Sequence, residues 1–184
     1  MALKRTVIGS PHFLRTLRPL LGLPVSRIWL GYAQALFLEL GRLHVEALPI
    51  IKLPSGRRAN RKTTHGQATV MLDTDWSAQG PEGISLSRES PPSRIENRIA
   101  ALRNRRVIGI DVRGSRSELI LMLEGSIRLL ARQRRGVGEW AIELNDPRLF
   151  PRAQRWVRLD HSLWLGVDER GRLVRDMCYG GPAS

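Results

Sequence analysis

Apolar residues recur along this chain with two periods, and the switches between them mark its elements. Phe13, Leu17, Leu20 and Leu21 follow helical spacing. Ser10-Pro11 precedes them as a start signal, a side-chain cap with proline in the first turn. Gly22 and Pro24 stop the helix, and Pro19 spoils its last turn. Period two then takes over. Residues 25–30 and 35–40 are expected as strands, the second with Leu36, Leu38 and Leu40 alternating against Phe37 and Glu39. Residues 42–48 extend this meander.

The same order returns further on. Phe13, Leu17, Leu20, Val25 and Ile28 each have an apolar counterpart 82 positions later, at Ile95, Ile99, Leu102, Val107 and Ile110. Ser93 and Glu96 fit a capping box before the second helix, which runs to Asn104. Strands are expected at 107–112 and 118–123, where Leu119, Leu121 and Leu123 match Leu36, Leu38 and Leu40 at an offset of 83. Glu124-Gly125-Ser126 turns the chain into 127–131. A last pair of segments, 66–76 and 138–148, matches at an offset of 72, with Ala68/Trp140, Val70/Ile142 and Leu72/Leu144 on one face. Residues 162–177 read as a hairpin around Asp168-Glu169-Arg170-Gly171, without a counterpart in the first half.

These patterns predict an α+β protein. Two similar helix-plus-antiparallel-strand units, an internal duplication, pack as one β-rich body with an extra C-terminal β-hairpin. The units are expected at 1–76 and 93–147, joined by a Ser-, Gly- and Pro-rich connector at 77–92 and followed by an extension at 148–184. The order of elements resembles that of small bacterial β-rich proteins, and no activity or residue role carries over from that resemblance.

Composition sharpens the picture mainly through charge. The 184 residues carry 30 basic and 17 acidic side chains, a net charge of +13. Only Lys4, Lys52 and Lys62 are lysines. The arginine fork suits phosphate and carboxylate, which favours an acidic partner. A GC-rich genome explains the preference for arginine over lysine, but less easily the net excess. Residues before Glu39 hold no acid, as in an organellar transit segment. They also hold half of the repeat, so they are read as fold. Cys178 is the single cysteine, which excludes an intrachain disulfide and fits a reducing, cytoplasmic setting. No apolar run reaches the ~18 residues of a membrane span.

Candidate chemistry is sparse. His12, His44, His65 and His161 stand at no metal-ligand spacing, so no metal or other cofactor is expected. Asp160-His161-Ser162 has the letters of a hydrolytic triad, but three consecutive residues cannot point at one another. Asp73-Thr74-Asp75 places two carboxylates on one side of a strand end, where a divalent ion or simple turn chemistry accounts for them, the turn being the commoner case. No phosphate-binding loop, dinucleotide fingerprint or nucleophile elbow occurs. The protein is therefore expected not to be an enzyme, with a hydrolase as the remote alternative.

The basic clusters carry more weight. Arg57, Arg58, Arg61 and Lys62 make a long loop basic, Arg132, Arg134 and Arg135 do the same in the second unit, and the duplication puts the two loops at comparable positions. Arg94, Arg98 and Arg105 form a row beside the apolar stripe of the second helix. Such a surface engages either an acidic protein or the phosphates of nucleic acid. Groove-binding and base-stacking signatures are missing. Trp29 and Trp164 face outward beside arginine, a composition of protein interfaces. The acidic protein is thus the first reading and nucleic acid the second.

Overall fold

The computed structural model describes residues 6–7, 10–52, 58–81, 83–114, 117–132, 140–146, 148–149, 161–167 and 173–179. For 6–7, 10, 46–52, 58–61, 161–167 and 174–179 only the backbone is described. The chain is β-rich, with three antiparallel sheets and two short helices, an α+β arrangement.

Helix α1 (Ser10–Leu17) continues into a 3-10 turn, Arg18–Leu20. Gly22, at φ +85°, ends it in the left-handed conformation that glycine adopts without strain. Strands β2 (Val25–Leu30) and β3 (Leu36–Leu40) pair as a hairpin, and β6 (Ala68–Leu72) pairs with β3. Between β3 and β6 the chain makes a detour through β4 (His44–Lys52) and β5 (Arg58–His65), which among the described residues pair only with each other. The predicted meander and long loop thus form a two-stranded ribbon. β5 (RANRKTTH) lacks apolar alternation, so its strand character was invisible to a periodicity argument.

Helix α2 (Pro92–Ile99) also continues into a 3-10 turn, Ala100–Leu102. It starts with Pro92 at the first helical position and has no side-chain cap, so Ser93 lies inside the helix and makes no capping box. Asn104, at φ +64°, stands where Gly22 stands in the first unit. Strands β9 (Val107–Arg113), β10 (Glu118–Leu123) and β11 (Ile127–Arg132) follow as an antiparallel meander. Both leading strands carry a bulge at the matching place, skipping Ser26 in β2 and Ile108 in β9.

The remaining strands cross between sheets. β7 (Asp75–Gln79) follows β6 but pairs with β11, while β12 (Trp140–Leu144) follows β11 in sequence but pairs with β6. β8 (Ser85–Ser87) adds to β7. β7 and β8 therefore occupy the stretch expected as a connector. β13 (His161–Val167), β14 (Leu173–Tyr179) and the two-residue β1 (Thr6–Val7) add to β12 in turn. The result is a seven-stranded sheet, β1-β14-β13-β12-β6-β3-β2, and a five-stranded one, β8-β7-β11-β10-β9.

Strand order also revises the pairing of segments. β6 and β12, matched at an offset of 72, are sheet neighbours rather than equivalents. In sheet position β6 corresponds to β11, and β12 to β7. Trp140 then falls opposite Trp76, and both are buried. Each indole donates to the carbonyl of a left-handed turn residue: Trp76 to Gln34 at 2.8 Å, Trp140 to Ser117 at 2.9 Å.

The two larger sheets face one another across a single core. Val70 and Leu72 meet Leu119, Leu121, Leu129 and Ala131 along a seam too tight for water. Phe13, Leu17 and Leu20 enter this core from α1, and Ile95, Ile99 and Leu102 from α2. The sheets also touch where β2 and β9 begin. There the Gly22 N–H donates to the Val107 carbonyl at 2.8 Å, and the Val107 N–H to Leu23 at 2.9 Å. In return the Asn104 N–H donates to Val25 at 2.8 Å, and the Val25 N–H to Arg105 at 2.9 Å.

Candidate binding surface

The predicted basic residues are described to different extents. Arg57, Arg134 and Arg135 lie outside the described residues, and Arg58 and Arg61 are placed by backbone alone, on β5. Lys62 is exposed on the same strand. The β4–β5 ribbon lies between β3 and β6 in the chain, whereas β10 and β11 are joined by the tight turn Glu124–Ser126. Arg134 and Arg135 instead fall between β11 and β12, matching the short link from β6 to β7.

The second helix holds its arginines outward. Arg94 and Arg98 are exposed one turn apart on α2, while Ile95 and Ile99 point into the core. Arg105 lies beyond the helix and is half-buried. Its Nε donates to the Ala101 carbonyl at 3.4 Å, and its guanidinium covers the turn at Gly125, 2.9 Å from where a Cβ there would sit. Arg103 and Arg106 are exposed beside it. Arg106 spans the strand crossing: its Nη1 donates to the Gly22 carbonyl at 2.8 Å and its N–H to Glu124 at 3.1 Å. The exposed Leu21 lies next to this crossing in sequence. Arg132 is exposed on β11, 3.7 Å from Glu118, a surface pair of little energetic weight.

The acidic residues behave differently, because most described ones face inward or bind locally. Glu39 is buried on β3 and accepts from the Gly66 N–H at 2.6 Å and the Thr69 hydroxyl at 2.7 Å. Asn145 donates to Thr69 at 2.9 Å and extends this network across β12. Asp146 is buried next to it and accepts from Gln67 at 2.9 Å and from the Arg148 N–H at 2.8 Å. Burial pushes the Asp146 carboxyl up, but the bonds from Gln67 and Arg148, with the nearby charges of His44 and Arg148, outweigh it and hold the group below its usual range. Asp73 pairs with Arg88 at 3.2 Å, and Asp111 with Arg113 at 2.5 Å. The first of these uses Asp73 in a turn contact, while Thr74 between the two acids is buried and donates to the Arg132 carbonyl at 2.5 Å. Among the described residues no three metal-ligating side chains converge.

Trp29, expected to face outward beside arginine, belongs to a further cluster. Trp29 on β2 stacks on Phe37 of β3, with ring centroids 5.1 Å apart and planes 7° from parallel. The Arg27 guanidinium sits 4.8 Å from the Trp29 ring centre. Arg27 and Trp29 are two apart in a strand, the spacing that puts both on its outer face, so alternation within 25–30 held the signal. Tyr32, in the turn that follows, is 97% exposed. Trp156 lies outside the described residues, and Trp164 is placed only as backbone opposite Glu143.

No protein-family model matches the chain, and no curated protein or solved structure matches it. Among the described residues, no helix is long and apolar enough to cross a membrane.

Proposed function

We propose that this is a non-enzymatic binding protein that engages an acidic protein through its arginine-bearing surface. One observation carries the reading. The described acids Glu39, Asp146, Asp73 and Asp111 are held in intramolecular bonds, whereas the guanidinium groups of Arg94 and Arg103 are exposed with no acid beside them among the described residues. Described arginines such as Arg94 and Arg103 thus present positive charge at the surface. Exposed Leu21, Leu43 and Val45 add apolar contact area, which a protein partner uses and a phosphate backbone does not.

Nucleic acid is the second reading, favoured by the β4–β5 ribbon. A basic two-stranded ribbon has the dimensions of a duplex major groove. Fluorescence anisotropy with a labelled acidic peptide that also carries apolar residues and with a labelled DNA duplex separates the two. Protein-type binding survives a rise from about 50 to 200 mM salt, while phosphate binding falls by orders of magnitude. Arg94→Glu with Arg103→Glu should abolish the first and leave stability within ~0.5 kcal/mol. Neutralising Arg57, Arg58, Arg61 and Lys62 should weaken either mode. Unchanged binding in both variants refutes the proposal.

The same proposal includes an origin by duplication, with units at 1–76 and 93–147 and a cytoplasmic location. The matched bulges, the matched tryptophan bonds and the reciprocal bonds of Val107 with Gly22 and Leu23 and of Val25 with Asn104 and Arg105 support duplication. The lone cysteine supports the location.

A further inference from the structure

We infer that the outer edge of β2 is a docking edge for an extended acidic segment of the partner protein, which joins the seven-stranded sheet as an added strand. This rests on the reading of an acidic protein partner and specifies where and how it binds.

Among the described residues β2 closes its sheet, with β3 as its only neighbour there. The bond from the Gly31 N–H to the Ala35 carbonyl, 2.7 Å, fixes the phase of the β2–β3 ladder. Antiparallel bonding alternates, so Trp29 and Arg27 turn their backbone groups toward β3, while Leu30 and Ile28 turn theirs to the open side. The crossing with β9 uses the open side of Val25. It stops there: the outward backbone groups of Ile28 and Leu30 have no partner among the described residues. Proteins blunt such edges with bulges, charges and prolines. In β2 the bulge and the charge lie in its first half, at Ser26 and Arg27, and Ile28-Trp29-Leu30 carries neither.

The face beside this edge selects the incoming strand. Side chains of an added strand that point outward lie next to Arg27 and Trp29, two residues apart. They complement these positions as a carboxylate opposite the guanidinium and an aromatic or branched apolar group extending the Trp29–Phe37 stack. In β9 the matching positions hold Gly109 and Asp111, so this platform belongs to one unit only. The edge is also stiff. Ala33 and Gln34 sit at φ +50° and +61°, a strained turn for these residues, and are pinned from inside by Arg88 donating to the Ala33 carbonyl at 3.1 Å and Trp76 donating to Gln34. Tyr32 stands at the end of this fixed edge, ready to pack against a strand running past Leu30. A preordered edge loses little entropy on binding, and its main-chain bonds supply affinity while the alternate side chains supply specificity.

The test is selection from a display library of capped ten-residue peptides against the full chain. The expected winners carry a carboxylate two residues from an aromatic or branched apolar side chain. Their binding should fall at least tenfold in Arg27→Glu and in Leu30→Pro, which deletes one outward N–H and none of the bonds to β3. Because Leu30→Pro risks the fold, the winners are also made with N-methyl groups on alternate amides. One methylation phase should abolish binding to the unaltered protein and the other should not. Amide exchange at Ile28 and Leu30 should slow on binding. Failure to enrich any peptide overturns the inference, as does binding indifferent to both methylation phases. Winners lost in Arg94→Glu with Arg103→Glu but unaffected in Arg27→Glu overturn the β2 edge while leaving the acidic-partner reading intact. Tighter binding of a labelled DNA duplex than of every selected peptide overturns both.

Discussion

Replacing Trp140 and Trp76 singly with phenylalanine tests whether the paired indole bonds hold the two turns. Trp140 is fully buried and its N–H reaches the carbonyl of Ser117, itself buried. Phenylalanine keeps an aromatic ring near Phe13, which meets Trp140 edge-on at 5.6 Å, but lacks the donor. Losing the bond and stranding a buried acceptor costs about 1–3 kcal/mol. The missing ring atoms leave a small void worth about 1–1.5 kcal/mol. Trp140→Phe is therefore expected to lose about 2–4.5 kcal/mol. Trp76→Phe removes the same group, but Gln34 is half-buried and water can reach its carbonyl. That variant should lose only about 2 kcal/mol. Urea denaturation followed by circular dichroism gives both values from the midpoint shift at constant slope. In thermal scans each kcal/mol is worth about 2–4 °C for a chain of this size. A loss below ~1 kcal/mol for Trp140→Phe, or a larger loss for Trp76→Phe than for Trp140→Phe, refutes the reasoning.

Three further outcomes follow from local geometry. Gly66→Ala should destabilise by about 2–3 kcal/mol in urea melts, because a Cβ there would lie 2.6 and 2.7 Å from the backbone O and N of Leu40 and 2.9 Å from the Ala68 carbonyl, atoms that cannot swing aside. Gly22→Ala should lose about 1–2 kcal/mol from its positive φ alone, since nothing lies within 4 Å of the added methyl. Asp146 has a folded pKa below its ordinary value, so its contribution is complete above the unfolded value and vanishes as pH falls through the folded one. Asp146→Asn should therefore flatten the stability profile below about pH 4, measured by urea midpoints at successive pH values, and a profile parallel to wild type would disprove this.

Periodicity carried the helices and the leading strands well. Phe13, Leu17, Ile95 and Leu102 were legible because each helix hides one stripe, and all four are buried. Leu36, Leu38 and Leu40, and likewise Leu119, Leu121 and Leu123, were legible because each strand hides one face. What failed was long-range. β7 holds Trp76 and Ala78 in the core, yet its sequence DWSAQ lies in a polar run, and only pairing with β11 makes it a strand. β6 and β12 share alternation because both line one sheet, which mimicked equivalence. Charge was legible in sum but not in place. Arg88, one arginine among many in the sequence, serves a turn, while Trp29 was legible as an outward residue beside arginine, and only geometry joined it to Arg27 and Phe37.

The exchange of β7 and β12 between sheets governs how the chain can be made. On the ribosome β7 emerges with Trp76 exposed, and its acceptor β11 follows only after roughly fifty more residues, a wait of several seconds at ordinary synthesis rates. Throughout that interval the nascent first half shows an open sheet edge and an unburied indole. The growing chain should therefore be most open to chaperone capture in that window.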